Sequence, residues 1–180
     1  MQFLLTPPLQ KPEINPIFME NSQEFEDLLQ VWDFATSFPD YLEMKVFKLE
    51  ELYAGLKYTG DEEVGLITDL FSALADCLIW EIPETESEDT ETALWILKEY
   101  TEERIKLIWP QIVQTLINSE MFGFETDEEL LTLNERLTSI TPSNFNAEFT
   151  YGEKVRLLQF LTFTAHDLQG FREVMNERIV

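Results

Sequence analysis

Among side chains suited to acid–base or nucleophilic chemistry near neutral pH, the 180-residue sequence holds one histidine, His166, and one cysteine, Cys77. His166 is predicted just inside a helix start, with no serine or cysteine motif beside it, which favours a structural or surface role. Cys77 lies in the apolar run Leu74-Ala75-Asp76-Cys77-Leu78-Ile79. That environment favours the neutral thiol, a poor nucleophile and a poor metal ligand. Carboxylates are abundant, but pairs such as Glu62-Glu63 and Asp127-Glu128 are adjacent in sequence, and adjacent residues on a helix do not face each other. There is no phosphate loop, glycine-rich dinucleotide turn, nucleophile elbow, HExxH, paired-cysteine zinc site or EF-hand calcium loop. The expectation is a non-enzyme with no cofactor and no metal site. An enzyme reading rests only on the carboxylates and His166.

The charge is more informative. Acidic residues number 35 and basic residues 12, for a formal net charge of −23. Binding to a phosphate backbone needs clustered Lys and Arg, so unaided nucleic-acid binding is nearly excluded. A basic protein surface is the natural partner. The single cysteine cannot form an intramolecular disulfide, which fits a reducing compartment. The longest N-terminal apolar stretch, Phe3-Leu4-Leu5, is too short for a signal peptide, and no window approaches the roughly 20 apolar residues that span a bilayer. The chain reads as soluble and intracellular, and its 44% hydrophobic content is enough to bury a core.

The elements that would position these groups follow from periodicity and proline. Pro7, Pro8, Pro12 and Pro16 make residues 1–20 an extended, proline-rich N-terminal arm. From Asn21 the helical period appears in Phe25, Leu28, Leu29 and Trp32, and Phe38-Pro39 ends it. Phe47, Leu49, Leu52, Tyr53 and Leu56 mark a second helix, with Asp61 placed to cap a third. The third carries Val64, Ile67, Leu70, Phe71, Leu74 and Leu78 and runs to about Trp80, before Pro83. Glu81 to Glu91 then form a solvated acidic loop. Helical spacing resumes at Ala93, Leu94, Ile96 and Leu97 and continues through Ile105 and Ile108 to Trp109-Pro110, where a sharp turn and a kink are both open. Capping patterns at Thr126 with Glu129, Thr150 with Glu153, and Thr164 with Asp167 predict three later helix starts. Trp32, Trp80, Trp95 and Trp109 are expected in packing roles. No alternating strand and no fixed-period repeat is found, so the predicted fold is all-α, a multi-helix bundle of about eight helices.

The stretch Val31-Trp32-Asp33-Phe34-Ala35-Thr36-Ser37-Phe38 is followed by Tyr41-Leu42, by Phe47-Lys48-Leu49-Glu50-Glu51-Leu52 and by Glu62 to Leu74. In this order the segments resemble a DDT domain. Trp109-Pro110-Gln111-Ile112-Val113 resembles the Trp-Pro helix that often follows. Phe149-Thr150-Tyr151-Gly152-Glu153-Lys154-Val155-Arg156-Leu157-Leu158-Gln159-Phe160-Leu161, with Phe171-Arg172 downstream, is similar to the first WHIM motif. The resulting division is an arm at 1–20, a DDT-like helical domain at 21–82, the acidic loop at 83–92, linking helices at 93–148 and a WHIM1-like segment at 149–180.

The resemblance implies a nuclear, non-catalytic accessory subunit of a chromatin remodeller of the imitation-switch (ISWI) class, docking on the basic C-terminal region of the ATPase subunit. No cysteine-rich zinc finger, acetyl-lysine reader or second WHIM motif is present, so histone-tail reading and linker-DNA contact are not implied. The expected contact residues are Glu84, Glu86, Glu88, Asp89 and Glu91 in the acidic loop, and Lys154, Arg156 and Arg172 on the exposed side of the 150–178 region. The alternative is an acidic histone-binding protein or histone chaperone.

Overall fold

The computed structural model describes residues 22–61, 64–82, 96–119, 122–124 and 127–168. The proline-rich arm, the acidic loop, Thr126 and the downstream apolar set Phe171, Met175 and Ile179 lie outside them. The described residues form eight α-helices and no strand, so the all-α expectation holds. The helices are α1 (Ser22–Ser37), α2 (Pro39–Leu42), α3 (Leu49–Lys57), α4 (Leu66–Trp80), α5 (Glu102–Asn118), α6 (Glu128–Glu135), α7 (Phe145–Glu148) and α8 (Tyr151–Asp167). Leu97–Glu99 and Arg136–Ser139 are 3₁₀ turns. Among the described residues, no helix is long and apolar enough to cross a membrane.

α4 is the centre of the structure. Ile67, Leu70, Phe71, Leu74, Leu78 and Ile79 are all buried, and they occupy too much of the helix circumference for one neighbour to cover. α5 and α8 pack on it from one part of the chain, α2 and α3 from another. Phe71 stacks on Trp109 of α5 with ring centroids 4.3 Å apart, and Phe145 meets both rings edge-on at 5.1 and 4.7 Å. Phe149 continues the cluster, 4.9 Å from Phe145. Such offset and edge contacts suit the ring quadrupoles, so the cluster has directional as well as apolar attraction.

At Trp109-Pro110 the chain kinks and continues. α5 runs through the proline, with Ile108 at φ −130° and ψ 23°. Proline has no N–H for the helical ladder, and its ring crowds the preceding turn, which accounts for the local distortion. Burial of Ile105 before the kink and of Trp109, Ile112, Val113 and Leu116 after it holds both halves on the core.

Helix α8 closes the bundle against α1, α3 and α4. Gln159 Nε2 donates to Asp27 Oδ1 at 3.0 Å and to Gln30 Oε1 at 3.2 Å. Tyr151 meets Tyr53 edge-on, and Lys57 Nζ lies 4.5 Å from the Tyr151 ring centroid. The Thr150–Glu153 capping box forms in full: Glu153 N donates to Thr150 Oγ1 at 3.2 Å and Thr150 N to Glu153 Oε1 at 2.9 Å.

Several local expectations are corrected. The buried face of α1 is Leu28, Val31, Phe34 and Ala35, while Leu29 is exposed, because α8 lands on a rotated part of the stripe. α4 begins at Leu66 with Gly65 as its uncapped N-terminus, so Asp61 is too far away to cap it and Val64 is 90% exposed. Trp80 is 66% exposed, since Leu78, Ile79 and Ile82 fill the inward side of that turn. Asp127 caps α6, accepting from Leu130 N at 3.0 Å. Thr164 starts no helix; it lies inside α8 and its hydroxyl donates to Phe160 O at 2.9 Å. Continued burial through Leu161, Thr162 and Ala165 carries the helix past it, which places His166 in the last turn and on the surface.

The aromatic cluster generates a stability prediction. Trp109→Ala should lower unfolding free energy by about 3–5 kcal/mol, read from urea denaturation, because it empties the contact between α4, α5 and α7. A loss below about 1 kcal/mol, the scale of a surface change, would show the cluster is not central.

Candidate functional site

Two of the expected contact residues are described, and both are engaged internally. Lys154 is 1% exposed, which corrects its expected place on an exposed face. Its ammonium donates to Leu56 O at 3.0 Å and Tyr58 O at 3.1 Å. The last carbonyls of a helix have no intrahelical partner and carry partial negative charge, so the C-terminus of α3 draws this cation inward. Arg156 Nε pairs with Glu129 Oε1 at 3.0 Å and ties α8 to α6. Glu84, Glu86, Glu88, Asp89, Glu91 and Arg172 lie outside the described residues.

The open feature of the described surface is a cleft of about 540 Å³ formed by the α2–α3 connection, one stripe of α4 and the start of α5. A second hollow of about 380 Å³ shares Leu42, Glu43, Asp76 and Glu102 with it and extends towards Trp80 and Tyr100. Both ends of the connection are held. Glu43 closes α2 in the left-handed region, at φ 54° and ψ 39°, where non-glycine residues are uncommon, and Met44 N donates to Pro39 O at 3.1 Å. At the other end Phe47 is buried and its carbonyl accepts from Trp32 Nε1 at 2.9 Å.

The α4 wall is Asp69, Ser72, Ala73 and Asp76, which the helical period places on one side. Ala73 leaves room above it. Ser72 is 3% exposed and its hydroxyl has no hydrogen-bond partner among the described residues. A helical serine ordinarily satisfies itself on the carbonyl one turn back, so this orphan is unusual.

Carboxylates of Glu43, Glu51, Asp69, Asp76 and Glu102 line the cleft against the ammonium groups of Lys45 and Lys106. Lys106 is shared between Asp69 at 3.4 Å and Glu102 at 3.6 Å. Neither Glu43 nor Asp76 forms a salt bridge among the described residues. Burial pushes the Asp76 carboxyl above its ordinary range, Glu43 and Glu102 add to this by repulsion, and a hydrogen bond from Trp80 partly opposes it. Burial also pushes the Cys77 thiol up to about 12, reinforced by Asp76, Glu43 and Glu81. Its Sγ donates to Tyr41 O at 3.6 Å. Cys77 is thus unsuited to nucleophilic attack, as its sequence context implied. No group of three or more His, Cys, Asp or Glu residues that could hold a metal ion occurs among the described residues.

The sequence reading missed this cleft because its parts lie far apart in the chain: residues 43–47, 66–76 and 102–106. The one available signal was the Asp69–Asp76 spacing, which places two carboxylates two helical turns apart within a largely apolar stretch.

Residues 23–81 match the DDT domain. The match spans α1 to α4 and includes the α4 wall of the cleft, while the α5 wall lies beyond it. The DDT domain is a non-catalytic protein-interaction module found in chromatin-remodelling accessory proteins. Comparisons with curated proteins and with solved structures found no match.

Two outcomes are expected from these environments. Lys154→Met keeps the apolar stem but leaves the carbonyls of Leu56 and of Tyr58, the residue that follows α3, without this donor, and should cost about 2 kcal/mol in urea unfolding; a gain in stability would show that the ammonium's desolvation outweighs its hydrogen bonds. Cys77 should react with a maleimide at pH 7 far more slowly in the native protein than in urea, and equal rates would contradict the high thiol pKa.

Proposed function

We propose that the chain is a nuclear, non-catalytic interaction subunit of an ISWI-type chromatin remodeller that docks on the basic C-terminal region of the ATPase subunit. The observation that carries this reading is the match of residues 23–81 to the DDT domain. The net charge of −23 supports a basic partner, since it raises the encounter rate with a cationic surface and opposes association with phosphate backbones. The packing of α8 on α1, α3 and α4 supports a single helical platform that includes the segment similar to the first WHIM motif. No turnover is assigned to it.

A second reading, histone binding, draws on the same charge. Affinity purification of the tagged full chain from its native cells at low salt separates the two. Recovery of a remodelling ATPase supports the first reading. Core histones without an ATPase support the second, and recovery of neither overturns both. Imaging of a fluorescent fusion tests the location, with exclusion from the nucleus as the contrary result.

A further inference from the structure

We propose that the cleft between the α2–α3 connection, α4 and α5 is a socket for lysine side chains presented by an extended basic segment of a partner protein. The proposal deepens the interaction-subunit reading and rests on it, but does not depend on which protein the partner is.

Three independent features of the cleft point to a cationic guest. Glu43 and Asp76 face the cavity without a salt bridge among the described residues; of the two lysines that line it, Lys106 is taken by Asp69 and Glu102, which leaves Lys45 alone against the remaining carboxylates of Glu43, Glu51 and Asp76. A guest ammonium would therefore meet negative charge that is partly desolvated before it arrives, so little of the interaction is lost to reorganisation. At the cleft's wall, the buried Ser72 hydroxyl is an unused donor and acceptor among the described residues, and an ammonium supplies a donor to it. Val46, on the cleft's rim, is 64% exposed, and Trp80, on the adjoining hollow that shares Glu43 and Asp76 with the cleft, is 66% exposed. An exposed indole beside carboxylates attracts a cation through its π face, and the aliphatic stem of lysine packs on such apolar rims while the head seeks charge.

Other occupants fit less well. Phosphate-bearing polymers and anionic lipid are repelled by the lining carboxylates. A second copy of this chain carries the same large negative charge. A purely apolar helix would bury Glu43 and Asp76 unpaired, at high cost.

The test uses the folded full chain and a fluorescein-labelled octapeptide of alternating lysine and glycine, with its norleucine and glutamate counterparts as controls. Binding is followed by anisotropy at two salt concentrations and by the ¹H–¹⁵N resonance of the Trp80 indole, assigned by its absence in Trp80→Phe. The lysine peptide should bind and move that resonance, and the two counterparts should do neither. Glu43→Gln with Asp76→Asn should weaken binding about tenfold or more, given the strength of charge-assisted pairs. Glu128→Gln with Glu135→Gln, an equal charge change on α6, should change it less than twofold. Ser72→Ala, which removes one hydroxyl with little risk to folding, should weaken binding as well.

Equal losses in the two double variants would reduce the effect to general electrostatics and overturn the socket. So would an unmoved Trp80 resonance, or Mg²⁺ displacing the peptide by stoichiometric binding. If the cleft variants lose the peptide yet still recover an ATPase from cells, the socket stands and the ATPase docks elsewhere. If they keep the peptide, the socket falls whatever the ATPase does.

Discussion

Helix α4 is apolar over most of its circumference, and an α-helix of that kind is stable in water only when neighbours surround it. From this constraint the rest of the architecture follows. The chain must bring α2 and α3 to one side and then return twice, once with α5 and once with α8. The aromatic cluster of Phe71, Trp109, Phe145 and Phe149 is where those returns lock together. The strip bearing Asp69, Ser72, Ala73 and Asp76 departs from the apolar pattern, and covering it tightly would strand two carboxylates and a hydroxyl. The cleft is the consequence: a gap that the central helix's own side chains keep from closing.

The distribution of charge follows a related logic. With 12 basic residues set against 35 acidic ones, cations are scarce, and the described ones largely serve the fold. Lys154 caps α3, Arg156 joins α8 to Glu129, and Lys106 bridges α4 and α5. Arg136 pairs with Glu153 and donates to Glu148 O at 2.6 Å. Burial raises the Glu153 pKa, but the Thr150 amide and Arg136 more than reverse this and hold the carboxyl below its ordinary value. Its contribution to stability is therefore present above the unfolded pKa and fades as pH falls through the folded one. Asp76 behaves oppositely, since its raised pKa means that the fold disfavours its ionised form, first through burial and then through the neighbouring carboxylates. An incoming cation would favour the ionised form that the surroundings of Asp76 disfavour.

Much of the fold was legible in the sequence where the signal was local. Phe38-Pro39 ends α1 because proline constrains the residue before it, and the Thr150–Glu153 box works because both partners sit within one turn. Where the signal needed a neighbour, the reading failed. Leu29, Val64 and Trp80 are as apolar as residues that are buried, yet no helix among the described residues covers them. Thr164 and Asp167 have a capping spacing, but the buried face of α8 runs through it. Lys154 looked like a surface cation because nothing near it in sequence reveals that the end of α3 lies above it.

Amino-acid order alone therefore determined the helical class, the dominance of negative charge, the breaks at proline and the apolar character of α4, because each arises from spacing or composition within a few turns. Tertiary structure alone decided which apolar stripe is covered, why a lysine is internal, and that Glu43, Asp76 and Glu102 share one cavity. The physical reason is that a side chain's burial and electrostatic surroundings are set by whichever element packs over it, and in this chain that element often comes from dozens of residues away.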